Sequence, residues 1–368
     1  IRYITKLSAD EPALDIYRTY IINDMQTFQK KAGAGKYDSA ARLSEMVHFN
    51  KRKTSWEKVT NIPLMYLYSE VNHFNKINQY VRFSGNEIET GYLTRIQKNV
   101  PTVFNAVYFE NNRISFCTGL NAGNDQTIIT SYNFTGNIVK NGSLSMTSLG
   151  NVSASVRYLN ISNNTFETGF TGTCSFASSD SLILHANVFT GKKNSTEMAQ
   201  EQYSSFSKSA LPLSTSLLSL KGSPAQVMSI RQNRFSAEMT KGIILSIDDP
   251  DNVIITNNEF NMKIPVWLST TGNIRNAILF KTNYNCSSIN ITGNSYIPEP
   301  GKENYLVRFD ESASVINNMT FTGNKTTGNA HVAIKTIEAR NKTFTNYYRG
   351  INTSRDEETI LKVGNRIK

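Results

Sequence analysis

Apolar residues recur along this chain in a pattern that an amphipathic helix does not produce. Nine asparagines serve as reference points: Asn86, Asn112, Asn137, Asn164, Asn187, Asn233, Asn258, Asn294 and Asn324. Three residues before them stand Phe83, Phe109, Phe134, Ile161, Leu184, Ile230, Ile255, Ile291 and Phe321. Five before them stand Val81, Val107, Tyr132, Leu159, Leu182, Met228, Val253, Ile289 and Met319. Two after them come Ile88, Ile114, Val139, Phe166, Phe189, Phe235, Phe260 and Tyr296, and only Thr326 departs. Apolar positions two residues apart are the signature of a strand with one face inward.

The residue just before each asparagine carries separate information. It is Gly85, Asn111, Gly136, Asn163, Ala186, Gln232, Asn257, Gly293 or Gly323. Most are Gly or Asn, which tolerate a left-handed backbone most readily. Each repeat therefore reads as strand, sharp corner, inward asparagine, strand. Stacked side-chain amides at the corner can bond to one another along the stack, which satisfies polar groups in the interior. The expected architecture is all-β, a right-handed parallel β-helix of about ten coils, forming a rod on the order of 48 Å long at ordinary strand spacing. Successive asparagines lie 26, 25, 27, 23, 46, 25, 36 and 30 residues apart. The gap of 46 holds either an unmarked coil around Leu217–Leu220 or one long polar loop from Gly191 to Ala210.

The N-terminal part is different. Ser8–Pro12 has helix-start character, and Leu14, Tyr17, Ile21, Met25 and Phe28 form one apolar stripe before Gly33 and Gly35. A helix over residues 12–31 is expected to cap the open end of the first coil. Residues 1–75 then comprise this capping α-helix and irregular first coils, 76–330 the β-helix, and 331–368 last coils or a C-terminal extension. Val363–Ile367 reads as one more corner shortened by a residue. Ile1–Ile4 shows neither an initiator methionine nor a signal peptide, so a trimmed piece of a longer chain is expected.

Charge adds a partner class. A net charge of +10 and a pI near 9.3 favour an anionic partner such as an acidic glycan, nucleic acid or phospholipid surface. No nucleic-acid-binding motif accompanies the basic residues, and no apolar run is long enough to span a membrane, so neither nucleic-acid binding nor membrane insertion is expected. Cys117, Cys174 and Cys286 are far apart, and His48, His73, His185 and His331 lack metal-ligand spacing. No metal or other cofactor is expected. Twelve Asn-x-Ser/Thr sequons lie between Asn133 and Asn352. In a chain this rich in Asn, Ser and Thr they are weak evidence of glycosylation, and Asn324 is also an interior position.

A second row of strands is legible before the corner strands. Placing Leu218, Leu220, Leu245, Ile247, Ile278, Phe280, Val307 and Phe309 inward turns Ser219, Lys221, Ser246, Asp248, Lys281, Arg308 and Asp310 outward. Asp248 and Asp310, two coils apart at roughly 9.6 Å, stand near the upper limit for the carboxylates of an inverting glycosidase, roughly 6.5–9.5 Å. They are the candidate catalytic pair, with Ser246, Lys281 and Arg308 as candidate substrate-binding residues. The plainer reading is that Asp248-Asp249-Pro250-Asp251 is turn chemistry and Asp310 is solvated.

The motif in Ile161–Phe166 and Ile255–Phe260 resembles the coil repeat of the pectate-lyase-like superfamily over about residues 75–330. Capping helix followed by coils is most similar to the bacteriophage tailspike branch. The resemblance implies a homotrimer on a virion surface or otherwise extracellular, attached to other virion tail proteins. Its implied function is to bind, and in an enzymatic member depolymerise, host surface polysaccharide. A glycosidase or a lyase would fit that branch. The alternative is a non-enzymatic β-helical fibre, virion decoration protein or adhesin. The calcium-binding carboxylates and arginine base of pectate lyases find no counterpart here, so that activity is not expected.

Overall fold

The computed structural model describes residues 63–68, 80–89, 92–97, 103–115, 120–122, 128–140, 145–146, 155–168, 174–178, 180–191, 216–237, 242–262, 274–299, 303–326, 334–352 and 357–367. Every described element is a strand, and the strands pair in parallel with the equivalent strand one repeat away. Among the described residues no helix is long and apolar enough to cross a membrane. The expected helix over residues 12–31 lies outside the described residues.

Three rows of strands result. Row one holds the strands that precede the asparagine corners, from Tyr80–Ser84 to Ser314–Thr322. Row two holds the short strands that follow the corners, from Glu87–Glu89 to Lys325–Thr326, in one nine-stranded sheet. Row three includes Cys174–Ala177, Ser216–Lys221, Ile243–Asp248, Ile274–Lys281 and Glu303–Phe309. Three earlier strands, Pro63–Tyr68, Tyr92–Gln97 and Leu120–Ala122, form a separate parallel sheet. At the other end Ile334–Arg349 runs straight from row three into row one, pairing with both Glu303–Phe309 and Ser314–Thr322. Glu357–Ile367 lies parallel alongside it. The described residues are thus all-β with stacked parallel ladders, an arrangement consistent with a β-helix.

Register explains the sequence pattern. Leu159, Leu182, Met228, Val253, Ile289 and Met319 are successive partners in row one, and so are Ile161, Leu184, Ile230, Ile255, Ile291 and Phe321. All are at most 2% exposed. In row two Phe166, Phe189, Phe235 and Phe260 stack face to face with centroids 4.6, 5.1 and 5.0 Å apart. Identical residues in register stack well because parallel strands hold their rings at one offset.

The corners and their amides form as the sequence implies. All nine residues before the asparagines have positive φ, from 53° at Ala186 to 69° at Gly85. The backbone N–H and Nδ2 of each asparagine both donate to Oδ1 of the next, as Asn233 does to Asn258 at 2.9 and 3.0 Å. Nδ2 also donates to the carbonyl three residues before the preceding asparagine, as Asn258 does to Ile230 at 2.8 Å. A buried amide is thereby satisfied on every side.

The structure resolves the gap of 46. Asn187 donates directly to Asn233 Oδ1 at 2.9 Å, and Ser181–His185 pairs directly with Val227–Arg231. No coil intervenes: Leu217–Leu220 belong to the row-three strand Ser216–Lys221, and residues 192–215 lie outside the described residues. A tenth rung comes from Asn352, whose Oδ1 accepts from the Asn324 backbone N–H at 2.9 Å. Val363–Ile367 is not a corner. Those residues continue the strand Glu357–Ile367, paired with Phe344–Tyr348.

Candidate functional site

Two in-register columns on the outer side of row three gather the residues singled out from the sequence. Lys221, Asp248 and Lys281 are successive partners in one. Ser219, Ser246, Leu279, Arg308 and Glu338 are successive partners in the other. Asp310 directly follows the next strand, and its backbone N–H donates to the Phe280 carbonyl at 2.8 Å. Fixed by the ladder, these side chains stand about 4.8 Å apart along the stack.

Their environments differ sharply. Asp248 Oδ1 lies 3.3 Å from Lys281 Nζ, and both side chains are well exposed. Ser246 was expected outward. It lies on the side of Asp248, to which its hydroxyl donates at 3.1 Å, but it is only 2% exposed. Between Ser219 and Leu279 its short side chain does not reach solvent, so it positions Asp248 rather than meeting a ligand. Arg308 is half-buried, with its guanidinium 5.4 Å from the centre of the Tyr305 ring, a cation–π contact that fixes its direction.

Asp310 is engaged by the fold. Its Oδ1 accepts from Lys342 Nζ at 2.7 Å and from the Thr282 backbone N–H at 3.2 Å. Its Oδ2 accepts from the Ser312 hydroxyl at 2.5 Å. Burial alone would raise its pKa, but the hydrogen bonds from Lys342, Ser312 and Thr282 outweigh it and hold the carboxyl below its ordinary value. A carboxyl held ionised by internal donors is poorly suited to give up a proton as a general acid.

The other acids of this edge are turn residues. Asp249 sits at φ 50° and accepts from the Asn283 backbone N–H at 2.8 Å. Asp251 caps two neighbouring coils at once, accepting from Ala225 N–H at 2.8 Å and from Ser287 N–H at 3.0 Å. Arg234 and Glu259 form an exposed pair at 3.6 Å on row two. Among the described residues no group of His, Cys, Asp and Glu could hold a metal ion. Cys286 is buried and donates to the Asp251 carbonyl, and its thiol is pushed up to about 12, chiefly by burial and then by Asp251.

Three participants escaped the sequence reading. Glu338 extends the Arg308 column, Arg340 pairs with Glu338 at 2.5 Å, and Lys342 holds Asp310. They alternate on the strand Ile334–Arg349, whose alignment to row three was hidden because no turn separates it from row one. Arg340 and Lys342, with Asn285, Ala313, Ser314, Val315, Asn341 and Thr343, line an open notch of about 480 Å³.

Comparison with known proteins yields no match, whether to a protein-family model, a curated protein or a solved structure. The site therefore rests on its own geometry.

Proposed function

We propose that the chain is a right-handed parallel β-helix of the pectate-lyase-like kind, serving as the body of a tailspike-like attachment protein that binds anionic surface polysaccharide. In this reading it is a homotrimer, extracellular or on a virion surface, joined to other virion tail proteins. The observation that carries the reading is the row-three face, where Lys281 and Arg308 stand on neighbouring strands, in columns two residues apart, with Asp248 beside Lys281 and Tyr305 beside Arg308. Cations on successive coils suit the carboxylates of an extended acidic glycan, and arginine can grip a carboxylate through two hydrogen bonds.

The environment of the two acids favours binding over cleavage. Asp310 is engaged by Lys342, and Asp248 is paired with Lys281. An inverting hydrolase needs one carboxyl protonated and the other free to activate water. The non-enzymatic alternative, fibre or adhesin, draws support from the same two contacts.

Electrophoresis through gels containing polygalacturonate or alginate, with light scattering for the oligomer, tests the proposal. The protein should be retarded at low salt. Lys281→Ala and Arg308→Ala should release it with melting temperature unchanged. Free migration of the parent protein, or full retardation of both variants, would refute the assignment.

A further inference from the structure

The cations of row three are not equally free. Lys281 is held by Asp248, Arg340 by Glu338, Lys342 by Asp310 and Arg275 by Glu299. Among the described side chains of this row, Lys221 and Arg308 are the cations left without an acid partner. Lys221 is exposed, and half-buried Arg308 leans on the Tyr305 ring. Lys221 stands on the first and Arg308 on the last of the successive strands Ser216–Lys221, Ile243–Asp248, Ile274–Lys281 and Glu303–Phe309. That separation is about 14 Å along the stack at ordinary strand spacing.

Acids occupy the space between. In the column Lys221, Asp248, Lys281 a carboxylate separates the two lysines. Like charges facing one another across a ladder are destabilising, which accounts for the alternation. Its consequence for a ligand is that the free cations stand far apart. Asp249 and Asp251 follow in the turn after Asp248, where they accept backbone N–H groups and no cation neutralises them. Exposed Glu311 lies in the turn after Phe309. The neighbouring column offers Ser219 and Leu279, both half-buried, on the way to Arg308.

We infer that this face takes a glycan whose acidic sugars are separated by neutral ones, rather than one acidic at every sugar, and that Lys221 is its second anchor beside Arg308. The inference rests on the polysaccharide-binding reading above and narrows it. Sugar units of an extended chain are comparable in length to one strand spacing, about 4.8 Å. A chain laid along the stack therefore places further sugars between the two anchors. An acid on those sugars would meet Asp248, whose lysine is already taken, and the uncompensated Asp249, Asp251 and Glu311. Like-charge contact of that kind is costly and rejects the wrong partner. A neutral sugar there meets the Ser219 hydroxyl and the Leu279 side chain instead. Acids spaced to reach Lys221 and Arg308 gain both free cations, and arginine can hold a carboxylate at two points.

The test is affinity electrophoresis at low salt in gels that contain gellan, whose uronates are separated by neutral sugars, or polygalacturonate, whose every sugar is a uronate. At matched uronate concentration the parent protein should be retarded more strongly by gellan. Lys221→Ala, at an exposed position, should weaken retention by gellan about threefold with melting temperature unchanged. Asp248→Asn should gain more on polygalacturonate than on gellan, because the dense polymer has an acid to place at the freed Lys281. Equal or stronger retention of the parent by polygalacturonate overturns the inference and leaves acidic-glycan binding standing. So does Lys221→Ala that migrates in gellan as the parent does. Free migration of the parent in both gels overturns the inference together with the reading on which it rests.

Discussion

Lys342 reaches Asp310 at 2.7 Å from a position with no solvent exposure at all, where Ile334–Arg349 crosses from row three to row one without a turn. Its ammonium also donates to the Ser312 carbonyl. A buried ion pair adds little net stability, but removing one partner leaves an uncompensated charge. Lys342→Met should cost about 3–5 kcal/mol. Because the Asp310 carboxyl is held below its unfolded value, its contribution is complete above that value, near ~3.9, and fades as pH falls through the folded one. Asp310→Asn should flatten the stability–pH curve below about pH 4. A curve as steep as the parent's by denaturant titration would show that another group carries the acid sensitivity.

Asn258 sits mid-ladder, with its Oδ1 accepting twice from Asn233 and its Nδ2 donating to Asn294 and to the Ile230 carbonyl. Asn258→Leu leaves several buried groups unpaired and should cost about 3 kcal/mol. Asn163→Gly, at the left-handed position beside the ladder, should be nearly neutral. Similar losses at both sites in urea denaturation would contradict the division between inward amide and outward corner.

Much of this was legible because the fold repeats. Nine copies of one environment expose what a single copy would hide, so the inward positions, the left-handed corners and the amide ladder follow from residue offsets alone. Legibility stops where the repeat breaks. Asn352 was missed because Arg349 stands three residues before it, where every other rung has an apolar residue. The gap of 46 was ambiguous because residues alone cannot distinguish a loop from a coil without its asparagine. The site was harder still. That Asp248 and Lys281 are neighbours follows from strand alignment, but the grip of Lys342 on Asp310 joins residues from different rows, and the burial of Ser246 depends on packing around it.

Gln232 and Ala186 occupy the left-handed corner without the freedom of glycine or the local hydrogen bonding of asparagine, at φ 56° and 53°. Gln232→Gly should stabilise by up to about 1 kcal/mol, strain relief outweighing the added entropy of the unfolded chain. Gly136→Ala should do the reverse. Its φ is 67°, and the new Cβ would lie 2.3 Å from Asn111 Oδ1. Thermal unfolding should therefore move in opposite directions for the two variants, and a shared direction would argue against corner strain as the cause.

Asp248 is the acid of the original pair left accessible, and its substitution separates binding from cleavage. Asp248→Asn removes the partner of Lys281 at 3.3 Å and frees that ammonium for a ligand carboxylate. The pair is exposed, so its loss should change stability by less than about 1 kcal/mol. If the row-three face only binds, Asp248→Asn should strengthen retention on polygalacturonate at low salt, and the advantage should shrink as added salt screens it. If Asp248 instead performs chemistry, the parent should release reducing ends or unsaturated products from a glycan it retains, and Asp248→Asn should not. A reducing-sugar assay and absorbance at the wavelength of unsaturated uronates, run beside the retention gel, give the two readings different outcomes.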